Sequence, residues 1–485
     1  VIFVSQIFLF WFLPAVLGIY FLLPKRARSL WLTLASYAFY GWWRPDFVGL
    51  MLFSTVVDFA AGARIGAANE AVAASTEGPA RAAAERARKR WLLASITVNL
   101  GLLGYFKYFN FGLDSLNALL GPLGVAPLAA AKVILPVGIS FYTFQTMSYS
   151  IDIFRGHARP LKSWIDFACF VSLFPQLVAG PIVRYQELAD QLLERTHTKD
   201  KFARGAYLFQ VGFLKKLLIA DSVALVADKA FALAEPSVVE AWLGALAYTF
   251  QIYFDFSGYS DMAIGLGLLF GFEFPVNFDS PYKSRSITEF WRRWHITLST
   301  WLRDYLYIPL GGNRRGPART YVNLAATMLL GGLWHGAAWT FVVWGAYQGA
   351  WLAFERWMGK RSLYGFLPAF GQQLVTLAIV AVGWVFFRAT SLEGALRMLQ
   401  AMAGLGAERE LALGFRIDNL QTLALVAAPM VALLLPNSQQ LAQPGAGIGA
   451  GIGAVATRMV TACAFPLAVC HLFFVSYSPF LYFQF

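Results

Sequence analysis

The chain has 485 residues, of which 58% are hydrophobic and 14% charged, and a net charge of +12. Soluble domains carry about 25% charged residues, so this chain cannot cover its surface for water, and lipid is its natural solvent. The positive balance fits basic cytoplasmic loops and not a nucleic-acid surface, because no nucleic-acid motif accompanies it.

The opening run, VIFVSQIFLFWFLPAVLGIYFLL, has no basic residue before it and no small-residue cleavage site after it. It reads as a first transmembrane helix and not as a cleavable signal. Apolar runs then recur, with spans expected at Gln6–Leu23, Leu30–Trp43, Phe47–Ile65, Trp91–Phe109 and Val133–Ile153. Later spans are expected at Leu217–Leu233, Ala241–Phe270, Tyr321–Phe354, Gln372–Phe387, Leu420–Leu435 and Arg458–Val475. Several fall short of the roughly 20 residues of a straight crossing, and others exceed it. Lys25, Arg26 and Arg28 in the first loop, and Arg81–Arg90 before Trp91, place both loops on the cytoplasmic side by the positive-inside rule. The stretch Gly66–Arg90, rich in Ala, Arg and Glu, reads as a solvated helix or linker. Between Asp166 and Arg184, FACFVSLFPQLVAGPIV is broken by Pro175, Gly180 and Pro181 with basic flanks on both sides, which suggests a re-entrant segment. Near the carboxyl end, Gly445, Gly449 and Gly453 stand in GxxxG register, open to a close helix crossing or to a flexible loop.

Five histidines are present. His157 and His197 lie in polar, basic stretches and read as solvated, and His471 as a packing residue. His335 lies in MLLGGLWHGAAWTFVVW, with no charged residue between Arg319 and Glu355. An ionisable group deep in an apolar helix is costly and usually functional. Gly331, Gly332, Gly336 and Ala338 around it admit a partner helix or a thin substrate. With an ordinary pKa of about 6.5, an imidazole can be neutral at physiological pH and act as a general base; a satisfied core histidine is the alternative.

His295 lies in SITEFWRRWHITLSTWLRDYLYIPLGG. Read as one helix, Thr288, Arg292, His295, Ser299 and Arg303 share a polar stripe, and Glu289 faces Arg293 one turn on. Such a helix is either an interfacial anchor or the polar wall of a cavity that meets an anionic donor. In QIYFDFSGYSDMAIGLGLLFGF, Asp255 and Asp261 interrupt an apolar run and need partners. They could pair structurally, orient a histidine or shape a cavity. There is no GxSxG elbow, no Walker A, no GxGxxG fingerprint and no HxxxxD. Cys169, Cys463 and Cys470 form no metal-binding pattern.

FQIYFDFSGYSDMAIGLGLLFGF, SITEFWRRWHITLSTWLRDYLYIPLGGNRRG and MLLGGLWHGAAWTFVVWGAYQG resemble the membrane-bound O-acyltransferase family. ASYAFYGWW, LGYFKYFNFGLDSLNALL, LPVGISFYTFQTMSYSIDIFRG and SPFLYFQF extend the likeness end to end, toward the bacterial polysaccharide-acetylating branch. The segment ELADQLLERTHTKDKFARG looks most like the members that acetylate alginate. The resemblance implies an all-α polytopic membrane protein over residues 1–485, one domain with a ring of transmembrane helices around a central tunnel. It implies catalytic roles for His335 and His295, and transfer of an acetyl group from a cytoplasmic donor, with acetyl-CoA expected, across the inner membrane. Arg292, Ser299, Asp255, Trp334 and Asn323 are the expected substrate-binding residues, with His295 or Asn323 as donor to the oxyanion. No metal or resident cofactor is expected. Expected partners are the acetyl donor, the lipid bilayer and periplasmic SGNH-like acetyltransferase subunits. A transporter is the rival class, but no pair of related halves is visible in the sequence; a scaffold that only recruits acetyltransferases is a second.

Overall fold

A computed structural model describes residues 2–359, 362–406, 416–443 and 452–474, with side chains left aside over 452–458. Among the described residues all regular elements are helices, without a strand. Gly445, Gly449 and the closing SPFLYFQF lie outside the described residues. The chain divides into two compact units, Val1–Phe202 with Leu266–Pro275, and Ala203–Gly265 with Val276–Phe485.

The first unit opens with a π-helical turn at Phe8–Phe12 that runs into α1 (Leu13–Leu22). Pro14 sits in the first turn of α1, where it removes no helical hydrogen bond. Next come α2 (Lys25–Gly41), α3 (Asp46–Ala74) and α4 (Pro79–Leu103), which continues through Gly104–Tyr108 into α5 (Phe109–Leu120). The expected solvated stretch is largely helix, since α3 and α4 extend into it and leave only four residues between them. The span expected at Val133–Ile153 is shortened to α6 (Ile139–Arg155), because Pro136 and a left-handed Gly138 hold the chain out of the helix until Ile139. The expected re-entrant stretch is broken into α7 (Trp164–Ser172) and α8 (Phe174–Leu177), with every residue from Phe167 to Val183 buried. It leads to α9 (Tyr185–Leu193). Ser163 starts α7 by accepting from the Asp166 N–H at 3.2 Å.

Helices α3, α4 and α6 pack together around a buried polar knot. The Asp58 carboxylate accepts from Ser95 Oγ at 2.5 Å and Asn99 Nδ2 at 2.8 Å, and Asn99 Oδ1 accepts from Ser54 and Thr146 hydroxyls at 3.0 and 3.1 Å. A carboxyl group without water needs such donors. His197 is not freely solvated as expected: its Nε2 lies 2.9 Å from the Tyr20 hydroxyl, against the Tyr20 and Phe21 rings.

The second unit holds most of α10 (Lys199–Leu214) and α12 (Val238–Leu269), with a π-helical turn and α11 (Asp221–Phe231) between them. Then follow α13 (Ile287–Arg293), α14 (Ile296–Leu302), α15 (Pro317–His335), α16 (Trp339–Trp357), α17 (Ala369–Arg388), α18 (Leu392–Gln400), α19 (Asn419–Leu434), α20 (Ser438–Ala442) and α21 (Ile452–Leu472). Small side chains let α12, α17 and α18 close on each other through Ala241, Ala245, Val385, Ala395 and Met398. Among the described residues, three helical stretches are long and apolar enough to cross a membrane, Asp46–Ala74, Pro79–Leu123 and Ala369–Arg388.

α10 and α12 cross backbone to backbone. A Cβ at Gly258 would lie 2.7 Å from the Gly212 carbonyl oxygen, and one at Gly212 would strike the Gly258 carbonyl. Small residues at a crossing are how helices associate where apolar burial drives little. Gly258→Val is expected to cost about 1–3 kcal/mol by overpacking, read as a lower unfolding midpoint in detergent; an unchanged midpoint would show that the crossing tolerates a side chain.

Candidate active site

The apolar run Tyr321–Phe354, expected as one span, is a helical hairpin. α15 stops at His335, and Gly336 and Ala338 are extended before α16 starts at Trp339. His335 is therefore the last residue of its helix and not a mid-helix residue. The two arms press so closely that a Cβ at Gly345 would sit 2.5 Å from the Met328 carbonyl oxygen, and one at Gly332 would strike the Phe341 carbonyl. That contact forces the turn where it falls and holds the imidazole at it.

Around His335 stand aromatic rings: Trp334 at 5.0 Å, Phe387 at 5.1 Å and Trp344 at 5.3 Å between centroids. His335 is buried, yet it lines a cavity of about 110 Å3 together with Ser299, Thr327, Gly331 and Trp344. The remaining walls are largely apolar, with Leu298, Leu302, Met328 and Leu352. An imidazole beside a small, largely apolar chamber is suited to proton transfer with little competition from water.

The second histidine arrives by a break in the chain. The stretch expected as one amphipathic helix is split into α13 and α14, seven residues each, and then a π-helical turn at Arg303–Tyr307. His295 sits at the break in a left-handed conformation, φ 42°. The extended segment before α13 enforces it: the Asp279 N–H donates to the Arg293 carbonyl and the Ile296 N–H to the Asn277 carbonyl, each at 2.9 Å. A left-handed non-glycine residue costs about 1–2 kcal/mol and is often found where function requires it. The expected polar stripe therefore does not exist, although the Glu289–Arg293 pair forms at 2.9 Å.

The break turns the His295 ring inward. It is fully buried, 6.2 Å from the His335 ring and 6.0 Å from Trp334, and packed against Phe256 and Phe278. α13 is pinned to α16 by Glu355, whose buried carboxylate accepts the Ile287 and Thr288 N–H groups at 2.7 and 2.8 Å and the Thr288 hydroxyl at 2.6 Å. Carboxylates are favoured at helix N-termini. Trp291 Nε1 donates to Gln348 Oε1 at 3.2 Å on the same face.

The remaining sequence candidates separate. Ser299 lines the cavity, and Trp334 packs against both histidines. Arg292 is exposed on α13. Asn323 spends its carboxamide on the Gly312 carbonyl at 3.1 Å and is not among the cavity walls. Asp255 is bound to Lys216 at 2.7 Å, which also holds Asp221 at 2.6 Å. Asp261 pairs with Lys215 at 2.6 Å and accepts from Ser438 at 2.7 Å. Asn277, Glu355 and Gln348 were not singled out in the sequence. A signal was present for Glu355, the first charge after a long uncharged run, but none for Asn277.

The described residues thus form an all-helical, aromatic-rich protein with two buried histidines at helix breaks. The model of the membrane-bound O-acyltransferase family (MBOAT) matches residues 141–388, about half the chain and the part that holds both histidines. The chain belongs to this family and is an O-acyltransferase. Over the full length of both proteins it is 48% identical to the probable alginate O-acetylase AlgI of Azotobacter vinelandii. It is 46% identical, again over both full lengths, to that of Pseudomonas aeruginosa. It is 38% identical to the peptidoglycan O-acetyltransferase of Helicobacter pylori, over 83% of this chain and 80% of that protein.

Proposed function

We propose that this chain, acting as one unit in a bacterial inner membrane, takes an acetyl group from a cytoplasmic thioester, with acetyl-CoA as the donor, and passes it outward for O-acetylation of alginate. The full-length likeness to alginate O-acetylases supports the polymer, and peptidoglycan acetylation by the same chemistry is the alternative substrate. Neutral His335 takes the proton of an acceptor hydroxyl. The oxygen attacks the thioester carbonyl, the new C–O bond forms as the C–S bond breaks, and the departing sulfur receives the proton from the imidazolium. Periplasmic SGNH-like acetyltransferase subunits complete the delivery to polymer.

The observation that carries this reading is the small apolar chamber beside His335. About 110 Å3 of largely apolar space accommodates a two-carbon acyl group. The test is thioester consumption by the purified protein in detergent, with labelled acetyl-CoA and palmitoyl-CoA compared. Turnover of the acetyl donor at least about ten times faster is expected, falling by about 10²–10⁴-fold in His335→Ala. Equal rates for the long chain would remove acetyl as the transferred group. Polymer identity is read separately, by loss of alginate acetyl esters in a strain lacking the chain.

A further inference from the structure

His295 carries an unusual set of neighbours. Its Nδ1 lies 3.1 Å from Asn277 Oδ1. The same oxygen accepts from the Thr297 N–H at 3.3 Å and the Thr297 hydroxyl at 2.9 Å. A backbone N–H can only donate, so the Asn277 atom facing it is the carbonyl oxygen and not the amide nitrogen; a flipped carboxamide would set two donors against each other. An oxygen only accepts, so His295 Nδ1 must bear the hydrogen. In the neutral ring the other nitrogen, Nε2, is then bare. Nε2 is buried, and no group among the described residues bonds to it. A buried acceptor without a partner loses about 1–3 kcal/mol, which a protein tolerates where a ligand supplies the missing donor.

We infer that Asn277 is a positioning residue, which locks His295 as the Nδ1–H tautomer and presents Nε2 as a hydrogen-bond acceptor to an N–H or O–H of the bound substrates. This rests on the acyl-transfer reading of the cavity beside His335. The oxyanion-donor role expected of His295 needs a hydrogen on Nε2, which this tautomer lacks. His295 thus meets a donor group, either an amide N–H of a pantetheine-type arm or a hydroxyl of the acceptor, and not the carbonyl oxygen. The left-handed backbone at His295 belongs to the same device, because the Ile296 N–H bond to the Asn277 carbonyl brings the ring and the carboxamide to one place.

The experiment follows thioester turnover against pH for wild type, Asn277→Ala, Asn277→Asp and His335→Ala, with thermal unfolding recorded for each. Asn277→Ala frees the tautomer and is expected to lower kcat by about 10–100-fold, the usual effect of losing a histidine's orienting partner. Asn277→Asp keeps an accepting oxygen, so kcat at the alkaline plateau should return to within a few-fold of wild type. A carboxylate at Nδ1 favours the imidazolium, which cannot accept at Nε2, so the acid limb of the profile should move to higher pH. The titratable side chain whose ring lies against His295 is His335, and the other ring neighbours, Phe256, Phe278 and Trp334, carry no charge. Wild-type kcat in Asn277→Ala would overturn the inference. So would an unmoved profile in Asn277→Asp, which also decides the matter if the alanine variant does not fold. Undiminished turnover in His335→Ala would instead remove the acyl-transfer mechanism, whatever the Asn277 variants do.

Discussion

Alanine in place of His335 is expected to slow acyl transfer by about 10²–10⁴-fold, the range ascribed to a general base. Several features make this a clean test. His335 ends α15, so its side chain supports no helical turn beyond it. It lies against the existing cavity, so truncation enlarges a space instead of opening a sealed one. The surrounding cage rests on its own ring contacts, with Trp344 at 5.7 Å from Trp384 and 5.1 Å from Phe387. Folding should therefore survive while turnover does not. His335→Gln, which keeps polarity and bulk without basicity, should be as inactive as alanine. Single-turnover rates with labelled donor, alongside unfolding midpoints, would separate chemistry from stability. A glutamine variant near wild-type rate would leave the imidazole as packing.

Lys216→Ala should be the most damaging change to stability. The ammonium is buried between two buried carboxylates, Asp221 at 2.6 Å and Asp255 at 2.7 Å. Breaking a buried ion pair by removing one partner costs about 3–5 kcal/mol, because the remaining charge has no water to turn to. Here the loss of one cation removes an ion-pair partner from two buried carboxylates at once. Asp255→Asn should be milder, since Lys216 keeps Asp221. That asymmetry is the diagnostic result in chemical denaturation in detergent micelles. If both variants lost equal stability, the three charges would not act as a group centred on the lysine.

Much of this architecture was legible before any coordinates. Apolar runs located most helices, and the span expected at Leu420–Leu435 differs from α19, Asn419–Leu434, by a single residue at each end. His335 and His295 stood out because ionisable groups in apolar stretches are rare. The breaks were not legible. Gly336-Ala337-Ala338 reads as well within a helix as between two, and what decides is the contact of Gly332 and Gly345 with the opposite arm. The break at Trp294–His295 depends on pairing with Asn277 and Asp279, which lie 15 to 18 residues earlier and carry no local turn signal. Helical periodicity therefore put Thr288, His295 and Ser299 on one stripe, whereas Thr288 caps against Glu355 and the imidazole faces the other way. Asn277 was not legible because a lone asparagine before a turn at Pro281 resembles any loop asparagine. Only the convergence of three donors on its oxygen gives it meaning.

The size and greasiness of the chamber beside His335 bear on energy waste. A water molecule takes about 30 Å3 of liquid, so about 110 Å3 holds at most a few, and Leu298, Leu302, Met328 and Leu352 give them little to bind. On the proposed acyl-transfer reading, an activated acyl group held there would be shielded from futile hydrolysis until a hydroxyl arrives. Donor leakage in the absence of acceptor should be slow, and polar substitutions such as Leu302→Gln should turn the enzyme into a leaky thioesterase.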